Sequence, residues 1–128
     1  MILKDLQAPD SLNDTSLMPI LFLGHGTPMN AIGNNRFSSQ WKKLGIKLPR
    51  PKAILCISAH WEKNETNVTA MEHHKTIHDF GGFPRELYMQ QYPAPGSIEL
   101  AEKIIKHVKE VNANYEWGLD HGTWSVLK

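Results

Sequence analysis

Cysteine is nearly missing from this chain of 128 residues, which contains Cys56 alone. A single cysteine excludes an internal disulfide, and its place within an apolar run favours a small buried side chain over a nucleophile. An excess of charge of one sign is missing too, because 14 Lys and Arg residues stand against 13 Asp and Glu residues. The sequence has no basic stripe of the kind that phosphate binding requires, so we expect no nucleic acid among the partners.

Long apolar runs are also absent. None approaches the roughly 20 residues that cross a bilayer, and the polar N-terminus lacks the apolar core of a signal peptide. We therefore expect no membrane partner and a cytoplasmic location. The length allows one modest core. Residues 1–17 mix Asp, Asn, Ser and Pro without periodicity and predict a flexible leader, so the predicted domain covers residues 18–128.

Two short apolar runs, at residues 20–23 and 54–57, each lead through one or two small residues to a histidine, His25 or His60. Such runs are typical of strands buried on both faces of a parallel sheet. Ligands of open α/β sheets lie beyond the carboxyl ends of the strands. If the runs are neighbouring strands, both imidazoles reach the same edge, where they could hold one divalent metal.

The remaining periodicity predicts helices around these strands. Phe37, Trp41 and Leu44 form one face of a short helix that Gly45 could end. Ser97 can cap a second helix, whose apolar stripe runs from Ala101 through Ile104, Ile105 and Val108 to Val111. Residues 68–71 are a weaker strand candidate. Strand, helix and strand form a right-handed βαβ unit, so we expect an α/β fold whose central, mostly parallel sheet is flanked by helices.

Two other segments allow two interpretations each. Residues 78–84 form an aromatic, glycine-containing loop that either covers a substrate or turns on the core, with a helix opening at Pro84. His121 follows Asp120, a carboxylate that could orient the ring or raise its basicity, so His121 is either a general acid or base or the cap of a helix beginning at Thr123.

Five motifs in order along the chain closely resemble one family. They are LGHGTP at 23–28, SAHWE at 58–62, TIHDFGGFP at 76–84, YPAPG at 92–96 and GLDHGTW at 118–124. The family is that of the DOPA-type class III extradiol ring-opening dioxygenases, and the resemblance covers its N-terminal half. It implies cleavage of a catechol by dioxygen beside the two hydroxyls, at a mononuclear non-haem metal held by two histidines plus a further ligand.

The resemblance implies that His25 and His60 are the metal ligands and that His121 lies in the pocket, where it exchanges protons. Fe(II) is expected for ring cleavage, because Zn(II) has no redox chemistry, although zinc could occupy the same histidines. His78 and His121 are the local candidates for the further ligand, which in the family lies in the other half. We assign substrate binding to five residues: Thr27, Trp61, His78, Phe80 and Asp120.

The same resemblance predicts an incomplete family domain, which leaves an apolar stripe exposed and favours a homo-oligomer. An alternative function is therefore a noncatalytic metal-binding or oligomerising module derived from the family.

Overall fold

The computed structural model describes residues 17–128, so nearly all of the predicted leader lies outside the described residues. A short 3₁₀ helix at Pro28–Ala31 is followed by six elements in chain order. They are α1 (Arg36–Lys47), β1 (Thr66–Thr69), α2 (Arg85–Tyr88), α3 (Ile98–His107), β2 (Val111–Asn114) and α4 (His121–Leu127).

The sheet consists of β1 and β2, which pair in parallel with Thr66 opposite Val111 and Thr69 opposite Asn114. The same direction continues beyond the strands, where Thr76 forms a parallel bridge with Leu119. There the Ile77 N–H donates to the Leu119 carbonyl at 2.8 Å, and the Leu119 N–H donates to the Lys75 carbonyl at 2.9 Å. The predicted α/β class with parallel pairing is confirmed.

The two apolar runs are not strands, contrary to prediction. Residues 20–23 and 54–57 have no strand partner among residues 17–128. Ile20 is 98% exposed and Ile57 is 92% exposed, so the burial inferred from their composition is wrong. A parallel strand needs both a neighbour and layers on its faces, and the described residues supply neither. Cys56 is likewise exposed instead of buried.

The helices follow the prediction more closely. Asn35 caps α1, whose twelve residues run through Gly45 without ending there. Ser97 caps α3 as predicted. That helix ends at His107, because Val111 belongs to β2 and not to the helical stripe. The weaker strand candidate at 68–71 overlaps β1.

The interior lies where α3 packs on both strands and α4 packs on the 3₁₀ helix. Leu87 and Trp124 are fully buried, and Ala101 is nearly so. The indole N–H of Trp124 donates to the Ile77 carbonyl at 2.8 Å, which fixes α4 to the segment that follows β1. Within the described part of the chain, the helices are too short or too polar to span a membrane.

Candidate metal centre

His25 is held through its backbone. It lies between Gly24 and Gly26, and Gly26 has a φ of 64°, a left-handed conformation that glycine adopts without strain. The side-chain amide of buried Asn30 donates to the His25 carbonyl at 2.9 Å. Asn35 in turn donates to the Asn30 side-chain oxygen at 2.7 Å. The cap of α1 therefore supports the loop that carries His25.

His60 lies against the first turn of α4. Its backbone N–H donates to Ser58 Oγ at 3.2 Å, and Ser58 Oγ donates to Asp120 Oδ1 at 2.8 Å. A Cβ at Gly122 would lie 2.6 Å from His60 Cδ2 and 3.0 Å from Ser58 Oγ. Glycine is thus required at position 122 for the imidazole to come this close.

His121 is the first residue of α4 and is buried. Asp120 caps this helix by accepting from the Thr123 N–H, so the interpretation of His121 as the cap is wrong. The carboxylate beside the His121 ring is Asp79 and not Asp120. Asp79 Oδ1 accepts from the His121 backbone N–H at 2.9 Å and lies 2.9 Å from ring Nδ1.

The three imidazoles converge, although they come from distant parts of the chain. His25 Nε2 and His60 Nε2 lie 2.7 Å apart. One ring nitrogen from each of His25, His60 and His121 falls within 4.8 Å of the others. The ring centroids of His60 and His121 are 4.1 Å apart, and those of His25 and His121 are 5.0 Å apart. The sequence-based expectation that positions 25 and 60 meet agrees with this geometry.

The donor set fits a divalent transition metal. Imidazole binds zinc or iron as the neutral ring, at nitrogen-to-metal distances of about 2.0–2.1 Å for zinc. A small separation of the His25 and His60 rings would admit such an ion between their Nε2 atoms. Burial, followed by the neighbouring His121 and His60, lowers the pKa of His25 below its usual value and favours its neutral form. His25 Nδ1 is buried without a hydrogen-bond partner.

The aromatic loop packs beside this cluster. The Phe80 ring lies edge-on to His121, with centroids 5.6 Å apart, and also contacts Phe83, Tyr88 and Trp124. His78 does not join the three histidines, since its Nε2 lies 2.9 Å from the Gln90 carbonyl oxygen and its ring packs on Phe80. Of the two local candidates for a further ligand, the structure brings only His121 to the cluster.

The other predicted substrate contacts are spread around the site. Thr27 caps the 3₁₀ helix and lines a cavity of about 500 Å³ that His25, Arg36 and Phe37 also line. Trp61 stacks on Trp117 with parallel rings 5.6 Å apart. Asp120 is 2% exposed, and its carboxylate accepts hydrogen bonds from Ser58 and Thr123. Substrate contact by these residues stays a prediction.

Three residues that shape the site were missed by the sequence analysis, namely Asn30, Asp79 and Gly122. Gly122 stands beside His121 in the GLDHGTW motif, where its missing side chain was a usable signal. Asp79 adjoins His78 within the aromatic loop, but its partner is 42 residues away, so no local pattern could reveal the pair.

Comparison with known proteins identifies a family. The family model described as the catalytic LigB subunit of aromatic ring-opening dioxygenase matches residues 19–128. The protein "4,5-DOPA dioxygenase extradiol" of Escherichia coli (strain K12) is 50% identical over 121 residues, which is 92% of this chain and 45% of that protein. The protein of the same name from Beta vulgaris is 41% identical over 124 residues, which is 90% of this chain and 46% of that protein.

A more distant relative is the "4,5-DOPA dioxygenase extradiol-like protein" of Schizosaccharomyces pombe, which is 29% identical over 136 residues and is covered over 46% of its length. The chain therefore spans a little under half the length of the curated relatives it matches.

Proposed function

Because the chain belongs to the family of the catalytic LigB subunit of aromatic ring-opening dioxygenases, we propose that it carries the metal-binding part of an extradiol dioxygenase for catecholic substrates. The observation that supports this most is the meeting of His25 and His60, whose Nε2 atoms lie 2.7 Å apart. The relatives are named for 4,5-DOPA, so a DOPA-like catechol is the first substrate to test.

His25 and His60 would hold the metal. The Asn30 amide donates to the His25 carbonyl, and the His60 backbone N–H donates to Ser58 Oγ. When bound, Fe(II) would pass electrons between the catechol and dioxygen and would offer the open coordination positions that ring opening needs, whereas zinc has no redox chemistry. A small number of protein ligands suits this reaction, because both the catechol and dioxygen must reach the same ion.

His121 would exchange a proton with a catechol hydroxyl. An imidazole titrates near neutrality and can act as donor or acceptor at physiological pH. His121 lies within one ring's width of His60, and its buried position shields this exchange from bulk water. The Phe80 ring covers the His121 side of the site and provides an apolar contact for an aromatic substrate. We assign the remaining substrate contacts to Thr27, Trp61, His78 and Asp120.

Turnover of a catechol by the Fe(II)-loaded chain tests this proposal. The chain is loaded with Fe(II) without oxygen and then mixed with DOPA in air-saturated buffer. We expect oxygen consumption and a yellow semialdehyde product. His25→Ala should abolish both, whereas the matched change His107→Ala, at an exposed position of α3, should leave them unchanged. Wild-type chain that holds Fe(II) but forms no product would overturn the proposed activity of this chain.

A second candidate function is a noncatalytic metal-binding module. It is favoured by the nearness of His121 to the other two imidazoles, since three neutral histidines are a suitable donor set for zinc. Stoichiometric zinc binding that weakens in His121→Ala, together with no turnover under Fe(II), would favour this module over the dioxygenase.

A further inference from the structure

Asp79 makes two contacts to one residue through one oxygen. Its Oδ1 accepts a hydrogen bond from the His121 backbone N–H at 2.9 Å, and the same oxygen lies 2.9 Å from His121 Nδ1. The His121 side chain is 8% exposed and that of Asp79 is 22% exposed, so this contact is largely removed from water. Two unprotonated groups would repel each other at such a distance. Nδ1 and Oδ1 lie at hydrogen-bond distance but not at a hydrogen-bond angle, so the contact is electrostatic, and it favours a proton on Nδ1.

The fold itself brings the pair together. The parallel bridge between Thr76 and Leu119 aligns the segment after β1 with the segment after β2. Asp79 follows the bridge by three residues on one side, and His121 follows it by two on the other. The Trp124 indole, bound to the Ile77 carbonyl, fixes the start of α4 against this segment. The position of Asp79 beside the ring is thus set by backbone hydrogen bonds on both sides.

No other described carboxylate occupies this role. Asp120 is adjacent in sequence, but its Oδ1 is shared by Ser58 Oγ, the Thr123 N–H and the Thr123 hydroxyl. It caps α4 and lies on the Ser58 side of the cluster. The Asp79 carboxylate is the charged group in contact with Nδ1.

We propose that Asp79 is a positioning residue that keeps the His121 imidazole in one tautomer and one orientation, with the proton on Nδ1 and Nε2 left for chemistry. A carboxylate on one nitrogen of a functional histidine fixes the tautomer and raises the basicity of the other nitrogen. The proposed tautomer concerns this chain without metal or substrate. Its consequence for catalysis rests on the proposed function, in which His121 exchanges a proton with the substrate.

Nitrogen-15 NMR of the histidine rings, recorded in mildly alkaline buffer, tests the tautomer directly. In the wild-type chain we expect His121 to carry its proton on Nδ1. Asp79→Asn removes the charge but keeps an oxygen for the backbone N–H, and it should shift His121 toward a mixture of tautomers. Glu116→Gln neutralises an exposed carboxylate outside the site and should leave the His121 signals unchanged.

A wild-type spectrum with the proton on Nε2 overturns the proposal even if the variant fails to fold, and so does a folded Asp79→Asn chain with an unaltered tautomer. Activity is a separate readout. If the Fe(II)-loaded chain turns over DOPA, Asp79→Asn should lower kcat by about 10–100-fold with little change in KM. Failure of turnover would count against the proposed function and leave the NMR result to decide the role of Asp79.

Discussion

Residue 122 has no Cβ, and this allows His60 to lie against the first turn of α4. Any larger residue would place a carbon 2.6 Å from His60 Cδ2, well inside contact distance. The other side of His60 is exposed, so a larger residue at position 122 would make the His60 ring rotate away from His25. One missing methyl group therefore controls the distance between two proposed metal ligands.

Gly122→Ala should weaken metal binding while leaving the chain folded. Alanine favours a helix over glycine by about 1 kcal/mol, so α4 itself tolerates the change. We expect about 10–100-fold weaker zinc affinity, the usual effect of disturbing residues around metal ligands, measured by competition with a chromophoric chelator. Gly45→Ala is the matched control, because it lies within α1 with open space around it. Equal zinc affinity in both variants would contradict the steric argument.

For single residues, the sequence predicted which side chains form the site more accurately than it predicted their contacts. His25 and His60 could be chosen because each follows an apolar run through small residues, which is a local pattern. The carboxylate for His121 was assigned to Asp120 on adjacency, but Asp120 caps α4 while Asp79 contacts the ring. Asp79 and His121 are 42 residues apart in sequence, and only the fold brings them together. A local sequence pattern therefore could not predict their contact.

At the scale of elements, His74 ties the loop after β1 to the end of that strand. Its Nε2 lies 2.9 Å from Thr69 Oγ1, and a Cβ at Gly96 would lie 2.7 Å from its Cε1. Burial lowers the pKa of His74 below its ordinary value of 6.5, although a hydrogen bond involving the Ala94 backbone acts in the opposite direction. The folded chain therefore holds His74 neutral where the unfolded chain has begun to protonate it.

This depressed pKa predicts acid sensitivity of folding. The contribution of His74 is complete above pH 6.5 and is lost as the pH falls through the lower folded pKa, because the unfolded state then binds more protons. His74→Gln removes the titration and can keep the bond to Thr69, so it should flatten this part of the stability profile. Urea unfolding between pH 7.5 and about 5 measures it, with His107→Gln as the control. An unchanged slope in His74→Gln would refute the assignment.

Helices were predicted more accurately than strands. Caps and apolar periodicity are local, so Ser97 and the face of α1 could be identified from sequence. Strand formation depends on a neighbour. The strongly apolar runs at 20–23 and 54–57 lack one among the described residues, whereas the modest run at 66–69 has β2 beside it and becomes a strand.

For the whole molecule, the unpaired runs leave apolar surface in water. Leu17, Ile20, Phe22 and Ile57 are each more than 90% exposed. Transfer of apolar surface out of water is worth about 25 cal/mol per Å², so these side chains favour contact with another apolar surface. The runs lead directly to His25 and His60, so whatever covers them also borders the three-histidine cluster.

We expect this surface to drive self-association of the isolated chain, as the predicted homo-oligomer requires. Sedimentation velocity should show a mean mass that rises with protein concentration. The double change of Ile20→Ser and Ile57→Ser should reduce that rise, while Met89→Ser, an exposed apolar control directly after α2, should not. A wild-type chain that stays monomeric at every concentration would contradict this expectation.

The convergence of His25 and His60 on one metal ion is the central claim, and zinc titration of the wild-type chain and its single-histidine variants tests it most directly. We predict one zinc ion per wild-type chain and at least a tenfold loss of affinity, about 1.4 kcal/mol, in both His25→Ala and His60→Ala. His107→Ala should bind as the wild type does. Undiminished affinity in both site variants would contradict the account.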